Sequence, residues 1–382
     1  MGNIDPVSKG SNGVSGFSIV VPTHGRVIHV ERLLSSLDLA RVKCPVPTEV
    51  FIVDSSPVHA AECIGTLGEK HNAIYVSGST SVRKKRNAGI QLAHYPAVVF
   101  IDSDCEAHPD LLVQYLRSYE EQPYLGGVLG QVVFTGPKNW TWEIVRFTPF
   151  VNSFSFAAQW PYAIWGPTAN ISYKRELLLE IGMFDENFPF KLGGDDVDLG
   201  LRVTKSGYLL RCNPDAIVYH ARDTWTHGVG ILSRAIRWGR MEFHLLNKHQ
   251  YLQQTDHPKL TVLLCILIVL ACLLILITHR WGWLALPWIW LGGVWAVEWA
   301  LSALATEVES WHPGRLVAQI VAWCYELGFC YESIRCGQPR LMLQRPLFHI
   351  GQLSGEWPLR VRRLWSIVLV TSTLILLLPW LK

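Results

Sequence analysis

Ala97-Val98-Val99-Phe100-Ile101-Asp102-Ser103-Asp104 is the stretch that decides the fold. Five apolar residues make a short strand, and the strand delivers two carboxylates, one residue apart, at its carboxyl end. The same pattern of short apolar strand, turn and amphipathic helix recurs upstream. Phe17–Val21 is followed by a helix through Leu33, Leu34 and Leu37, then by strands at Val50–Val53 and Ile74–Val76. Strands alternating with helices predict an α/β fold with a mostly parallel sheet covered on both faces, and such sheets bind ligands at the carboxyl ends of their strands. The polar residues stand at those ends: Pro22-Thr23-His24-Gly25-Arg26, Asp54-Ser55-Ser56 and Asp102-Ser103-Asp104.

The chain has 382 residues, more than one typical domain needs. Hydrophobic residues make up 49% and charged residues 17%, and the apolar excess lies after Leu260. The pattern predicts a flexible tail at 1–16, a catalytic domain at 17–250 and an α-helical membrane region at 251–382. Runs at about 260–278, 281–304 and 364–381 are long enough to span a bilayer. The segment at about 315–335 is interrupted by Gln319, Glu326 and Glu332 and suits an interfacial or re-entrant helix. With that helix at the surface, Lys248, Lys259, Arg335, Arg340, Arg345, Arg360, Arg362 and Arg363 share the cytoplasmic side, and Arg280 and Lys382 lie outside. The tail has no apolar core, so the expectation is an integral, multi-pass membrane protein with its catalytic domain facing the cytoplasm. Nine cysteines with no Cys-x-x-Cys pair read as reduced, mostly buried thiols. A net charge of +3 does not support a nucleic-acid partner. Gly126 to Trp165 reads as a looser, Gly- and aromatic-rich region, a place for acceptor-contacting loops.

Five segments carry candidate chemistry. Asp102 and Asp104 offer hard oxygen ligands suited to Mg²⁺ or Mn²⁺ on a diphosphate, although Asp and Ser are also ordinary turn residues. Gly193-Gly194-Asp195-Asp196-Val197-Asp198 opens a helix, and capping alone accounts for one Asp better than for three. Arg83-Lys84-Lys85-Arg86-Asn87-Ala88-Gly89 places cations at a helix start, where the dipole does not favour them and an anionic diphosphate would. Lys84 and Lys85 read best as a solvated face. His220 ends the strand Ala216–His220 and could complete an oxygen-rich metal site, though a lone His is more often structural. Arg234-Ala235-Ile236-Arg237-Trp238 suits ligand contact and membrane-surface snorkelling equally well.

In this order the segments resemble family 2 inverting glycosyltransferases of the GT-A fold, over Phe17 to about Arg240. The resemblance rests on Val20-Val21-Pro22-Thr23, Asp54, Arg86-Asn87-Ala88-Gly89, Asp102-Ser103-Asp104, Asp195-Asp196 and Arg234 to Trp238. It implies that Pro22, Thr23, Arg26, Asp54, Arg86, Asn87, Arg237 and Trp238 serve the nucleotide-sugar donor. It implies that Asp102 and Asp104 hold nucleotide and metal, with His220 as a further ligand, and that Asp195-Asp196 supplies the catalytic acid pair with Asp196 as base. The implied cofactor is Mn²⁺ or Mg²⁺, and the implied acceptor is lipid-linked or membrane-proximal. Two departures stand out: Asp195 replaces the usual Glu, and Arg234 replaces the Gln of the Gln-x-x-Arg-Trp element of processive synthases. The alternatives are a short processive polysaccharide synthase and a non-catalytic membrane scaffold that binds nucleotide sugars.

Overall fold

The computed structural model describes residues 13–189, 193–225, 228–255, 259–305, 314–346 and 357–377. Most of the expected tail, 1–12, lies outside them, but Val14 is buried in the core, so the ordered body begins before Phe17. The chain packs as two units, Met1–Lys138 with Val151–Thr226, and Asn139–Phe150 with His227–Lys382.

The first unit runs β1 (Phe17–Thr23), α1 (Val27–Lys43), β2 (Thr48–Asp54), α2 (Val58–Lys70), β3 (Ile74–Ser77), α3 (Val82–Leu92), β4 (Ala97–Ile101), β5 (Cys105–Ala107), α4 (Leu111–Glu121) and β6 (Gly127–Thr135). After a short helix of the second unit, α5 (Trp140–Val145), it continues with α6 (Phe156–Gln159), β7 (Tyr162–Ala163), β8 (Asn170–Lys174), α7 (Arg175–Glu180), α8 (Asp195–Lys205) and β9 (Leu210–Ala221). Among the described residues nine strands form one sheet, in the order β3-β2-β1-β4-β8-β6-β9-β5, with β7 on β9. β1, β2, β3 and β4 are parallel, β6 and β9 are parallel, and β8 joins the two parallel groups by antiparallel pairing with β4 and β6.

The strands are apolar at consecutive positions because both faces are covered. Phe17, Ile19 and Val21 pack with Val30, Leu33, Leu34 and Leu37 of α1, while Val20 packs on the other face with Ile90 of α3 and Leu199 of α8. β4 divides likewise, with Ala97, Val99 and Ile101 on one side and Val98 and Phe100 on the other. The connection after β1 therefore covers one face and the connection into β4 the other, so the crevice at the ends of β1 and β4 is a topological switch point. Gly89 sets how closely α3 approaches. A Cβ there would lie 2.4 Å from Val20 Cγ1, so any other residue would lift the helix away from β1.

The region read as loose between Gly126 and Trp165 contains β6. Its glycines are places of contact: a Cβ on Gly127 would lie 2.4 Å from the Ser172 carbonyl, and one on Gly130 2.2 Å from Asn170 Nδ2. At Gly130 the pairing of β6 with β9 slips, and Asn170 Nδ2 spans the irregularity by donating to the carbonyls of Gln131 and Ala216.

The second unit adds α9 (Gly228–Lys248), β10 (Gln253–Thr255), α10 (Leu260–Thr278), α11 (Leu286–Ala305), α12 (Gly314–Arg335), β11 (Gln344–Pro346) and α13 (Trp357–Leu377). Helix α9, expected within the catalytic domain, packs here against α12. Gly239 faces the Tyr325 carbonyl and Gly328 the Ile236 carbonyl so closely that neither site has room for a Cβ. β10 and β11 pair antiparallel. Leu260, Leu264, Trp290, Leu291 and Val294 form a core joined by Ile367, Val370 and Leu374 of α13.

Among the described residues two segments are long and apolar enough to cross a membrane, Leu260–Thr278 and Trp281–Leu301. The expected third span contributes a shorter apolar stretch, Arg363–Ile375, and 378–382 lie outside the described residues, so a multi-pass topology with three spans is not supported. All nine cysteines are free, and against the expectation of mostly buried thiols only Cys105, Cys212 and Cys330 are buried, with Cys265 and Cys272 exposed on α10.

Candidate active site

The carboxyl ends of β1, β2 and β4 and the first turns of α1, α3 and α8 supply the polar residues of the first unit. Asp54, the last residue of β2, is fully buried. Its Oδ1 accepts from the Ser56 N–H at 3.0 Å and the Ser56 hydroxyl at 2.5 Å, and its Oδ2 accepts from Tyr75 at 3.2 Å. Beside it Pro22 and Thr23 end β1. The Thr23 hydroxyl is buried with no partner among the described residues, and the Thr23 carbonyl accepts from Lys85 Nζ. Lys85 is thus buried rather than solvated. Burial lowers its pKa, and the Asp54 charge works in the opposite direction. Lys84, one position earlier, is exposed.

Arg86 holds the centre. It donates through Nη1 to Asp195 and through Nη2 to Asp102 Oδ1 at 3.1 Å, and its guanidinium lies 5.5 Å from the Phe184 ring centroid. Arg83, given no role of its own within the basic cluster by the sequence, is also buried. It donates to the Gly193 carbonyl at 2.8 Å and lies 3.8 Å from Asp195 Oδ1. Asn87 has a different task. Its amide donates to the Phe184 carbonyl at 2.9 Å and to Glu186 at 2.8 Å, and its Oδ1 accepts the Phe184 N–H, so it pins the loop that leads toward α8.

Before α8, Gly193 and Gly194 both have positive φ, +92° and +74°, which favours glycine at each position. The three acids that follow are not equivalent. Asp198 is buried on Arg202 at 3.0 Å, and Asp195 is buried between Arg83 and Arg86. Asp196 is half-buried, accepts only from the N–H of Val197 at 2.9 Å, and has no ion-pair partner among the described residues. Burial and the adjacent Asp195 charge push its pKa up to about 7, against a pull downward from Arg86. A carboxylate near 7 is a far better proton acceptor than an ordinary one, yet is still largely ionised at mildly alkaline pH.

Asp104 is buried at the start of β5. It meets Arg26 Nη1 at 2.6 Å through Oδ2, and His220 Nε2 at 3.7 Å through Oδ1. The His220 Nδ1 lies 3.0 Å from the Ala221 carbonyl, an acceptor only, so Nδ1 carries a proton, and in the neutral imidazole Nε2 presents a lone pair. With a neutral imidazole, two acceptors face each other across 3.7 Å, an arrangement that a divalent cation between them would satisfy. Cys105 lies in the same cluster, but burial and the charges of Asp104 and Asp102 hold its pKa well above the ordinary thiol value, so it remains a neutral thiol. Asp102 is outside this group, one third exposed and engaged by Arg86.

The sequence-predicted residues Pro22, Thr23, Arg26, Asp54, Arg86, Asn87, Asp102, Asp104, Asp195, Asp196 and His220 thus all lie in the first unit. Arg237 and Trp238 lie on α9 of the second unit, where Arg234 sits 5.8 Å from the Trp238 ring centroid.

Residues 18–183 match the model of Glycosyl transferase family 2. Validoxylamine A glucosyltransferase of Streptomyces hygroscopicus subsp. limoneus is 22% identical over 267 residues, covering 62% of this chain and 58% of the relative. The amylovoran biosynthesis glycosyltransferase AmsB of Erwinia amylovora is 28% identical over 204 residues, covering 50% of this chain and 65% of the relative. The chain thus spans about three fifths of the length of the curated relatives it matches. The mannosyltransferase PcManGT of Pyrobaculum calidifontis, solved with GDP-Man and Mn²⁺, superposes with a TM-score of 0.51 at 18% identity, over 86% of this chain and 88% of that one. That likeness shows the fold, which is GT-A.

Proposed function

We propose that the protein is an inverting glycosyltransferase that moves a sugar from a nucleotide-sugar donor to a hydroxyl of a lipid-linked or membrane-proximal acceptor, with Asp196 as general base. The observation that carries the reading is the division of labour in Asp195-Asp196. Asp195 is neutralised by arginines, whereas Asp196 has no cationic partner among the described residues and has a pKa raised to about 7. The base takes the acceptor's proton as its oxygen attacks the anomeric carbon. The bond to the diphosphate breaks in the same displacement, which inverts the sugar carbon. Arg86, fixed by Asp195 and Asp102, offers a preorganised cation for the charge left on the departing diphosphate. Pro22, Thr23, Arg26 and Asp54 stand at the strand ends where the nucleoside would lie. Asp104 and His220, with Asp102 nearby in sequence, would hold Mn²⁺ or Mg²⁺, which when bound offsets the negative charge of the diphosphate.

The second unit supports a membrane anchor. Ile266, Val269, Leu273, Leu276 and Ile277 leave one side of α10 exposed, with Leu276 at 72% and Ile277 at 75%, an apolar surface suited to lipid. The β10–β11 ribbon pairs Thr255, just before α10, with Gln344, just after α12. Two crossings by α10 and α11 return the chain to its starting side, so α12 must begin and end on that side for the ribbon to form. This supports α12 as an interfacial helix.

The test is nucleoside diphosphate release by the purified full chain from a panel of UDP- and GDP-sugars, with membrane lipid extract as acceptor. Acceptor-dependent release that Asp196→Asn abolishes is the expected result. Release undiminished in that variant, or absent with every donor, ends the reading.

A further inference from the structure

Arg26 is placed oddly for a permanent structural cation. It is the residue that starts α1, where the helix dipole favours anions, and it follows Gly25, whose φ of +69° and bond to Ser56 Oγ at 2.6 Å fix the turn. Its side chain is 42% exposed, and its ion pair is with a carboxylate that is 5% exposed. Asp104 Oδ2 is the ion-pair partner of Arg26 among the described residues, at 2.6 Å. Arg86, the other arginine on the Asp-Ser-Asp turn, is held very differently: it is 7% exposed and bound to two carboxylates. One arginine is built in, and the other is free to leave.

We propose that Arg26 is an exchangeable counter-ion. It neutralises Asp104 while the donor site is empty, gives up that carboxylate to the divalent cation, and then pairs with the diphosphate that arrives with the metal. The exchange conserves charge at both ends. Asp104 trades a guanidinium for a metal ion facing His220, and the amino end of α1 trades a carboxylate for a phosphate, which suits both the dipole and a forked donor. The buried carboxylate is never left uncompensated, and that state is the one that costs most. The inference rests on the metal-dependent transferase reading, and its test is read in binding rather than turnover.

The experiment is titration of the full chain in detergent with Mn²⁺ alone, following the free-ion signal by electron paramagnetic resonance, for wild type, Arg26→Gln, Arg26→Lys and Asp104→Asn. Removing a competing partner of Asp104 should tighten Mn²⁺ binding by roughly three- to tenfold in Arg26→Gln, because a charge-assisted pair of this exposure is worth about one factor of ten at most. Arg26→Lys should fall between the two. A nucleoside diphosphate titrated at saturating Mn²⁺ should move the other way and bind Arg26→Gln several-fold more weakly. Damage to the turn would weaken both ligands together, so opposite signs identify the exchange. Equal or weaker Mn²⁺ binding by Arg26→Gln overturns the proposal. Equal Mn²⁺ binding by wild type and Asp104→Asn would instead overturn the metal site.

Discussion

Asp195-Asp196 in the first unit and Glu332 in the second are acidic sites in helices, and they are completed in opposite ways. Glu332 is fully buried and over-supplied with partners: Arg240 Nε at 2.8 Å, His244 Nε2 at 2.9 Å and Arg335 Nε at 3.0 Å. Burial pushes its pKa up, but these donors outweigh it and bring the carboxyl down to about 2. In the first unit Asp195 takes the arginines and Asp196 is left with its charge poorly compensated. Glu298 and Glu326 share a single cation, Arg363, at 3.4 and 2.8 Å and join α11 and α12 to α13, with Glu326 Oε2 left without a partner among the described residues. A carboxylate held by cations from other helices fastens helices together. One whose cations are spent on its neighbour keeps a basic oxygen for chemistry.

Asp196→Asn should separate these cases most sharply. A positioned base contributes about a hundred- to ten-thousand-fold, so turnover at saturating donor should fall by at least roughly a hundredfold with nucleoside diphosphate affinity retained. The stability effect should be the opposite of a fastener's. A carboxyl whose folded pKa lies above its unfolded value destabilises the fold as pH rises from the unfolded pKa through about 7, so the neutral Asn should leave the protein as stable or more stable at pH 8. A drop in melting temperature at pH 8 matching the loss of turnover would make Asp196 structural.

Glu332→Gln tests the other side. Breaking one partner of a buried ion network costs about 3–5 kcal/mol, here because Arg240, Arg335 and His244 would lose their anion. Thermal unfolding in detergent should show that loss, with nucleoside diphosphate affinity per folded molecule unchanged. The folded pKa of Glu332 lies below the ordinary value, so its contribution is present above the unfolded pKa and is lost as pH falls through about 2. The destabilisation should therefore be seen in full at pH 7.

What could be read in the sequence follows from which forces act along the chain. The central strands were legible because they are apolar on both faces, as Ala97–Ile101 is, and the acids were legible because they stand at strand and helix ends. The burial of Lys85 was not, since four basic residues in a row look solvated. The signal was Gly89, whose missing Cβ puts α3 on β1, with Lys85 and Arg86 about one turn earlier on the inward side. β6 was missed because Gly126, Gly127 and Gly130 resemble a loop in sequence, while each lacks a side chain to admit a neighbour from elsewhere in the chain. Glu332 and Glu326 looked like interruptions of an apolar helix because their partners, Arg240, His244 and Arg363, are 88 to 92 and 37 residues away.

The smallest effect expected is the most specific. If Asp196 must be ionised to accept a proton, kcat/KM should rise with pH along a single acid limb near 7. The groups acting on that carboxyl besides burial are Asp195, Arg86, the Val197 N–H and Asp102, and the Asp195 charge is the largest of them. Asp195→Asn removes a negative neighbour, so the limb should move to lower pH. Arg86 pulls the same pKa down, so Arg86→Gln should move the limb to higher pH. Opposite displacements in the two variants, at whatever activity remains, require the titrating group to sit between them. Glu332→Gln supplies the matched control, because its charge is not among the causes acting on Asp196. A limb that moved in Glu332→Gln but stayed in place in Asp195→Asn would assign the titration to another group and remove Asp196 from the role of base.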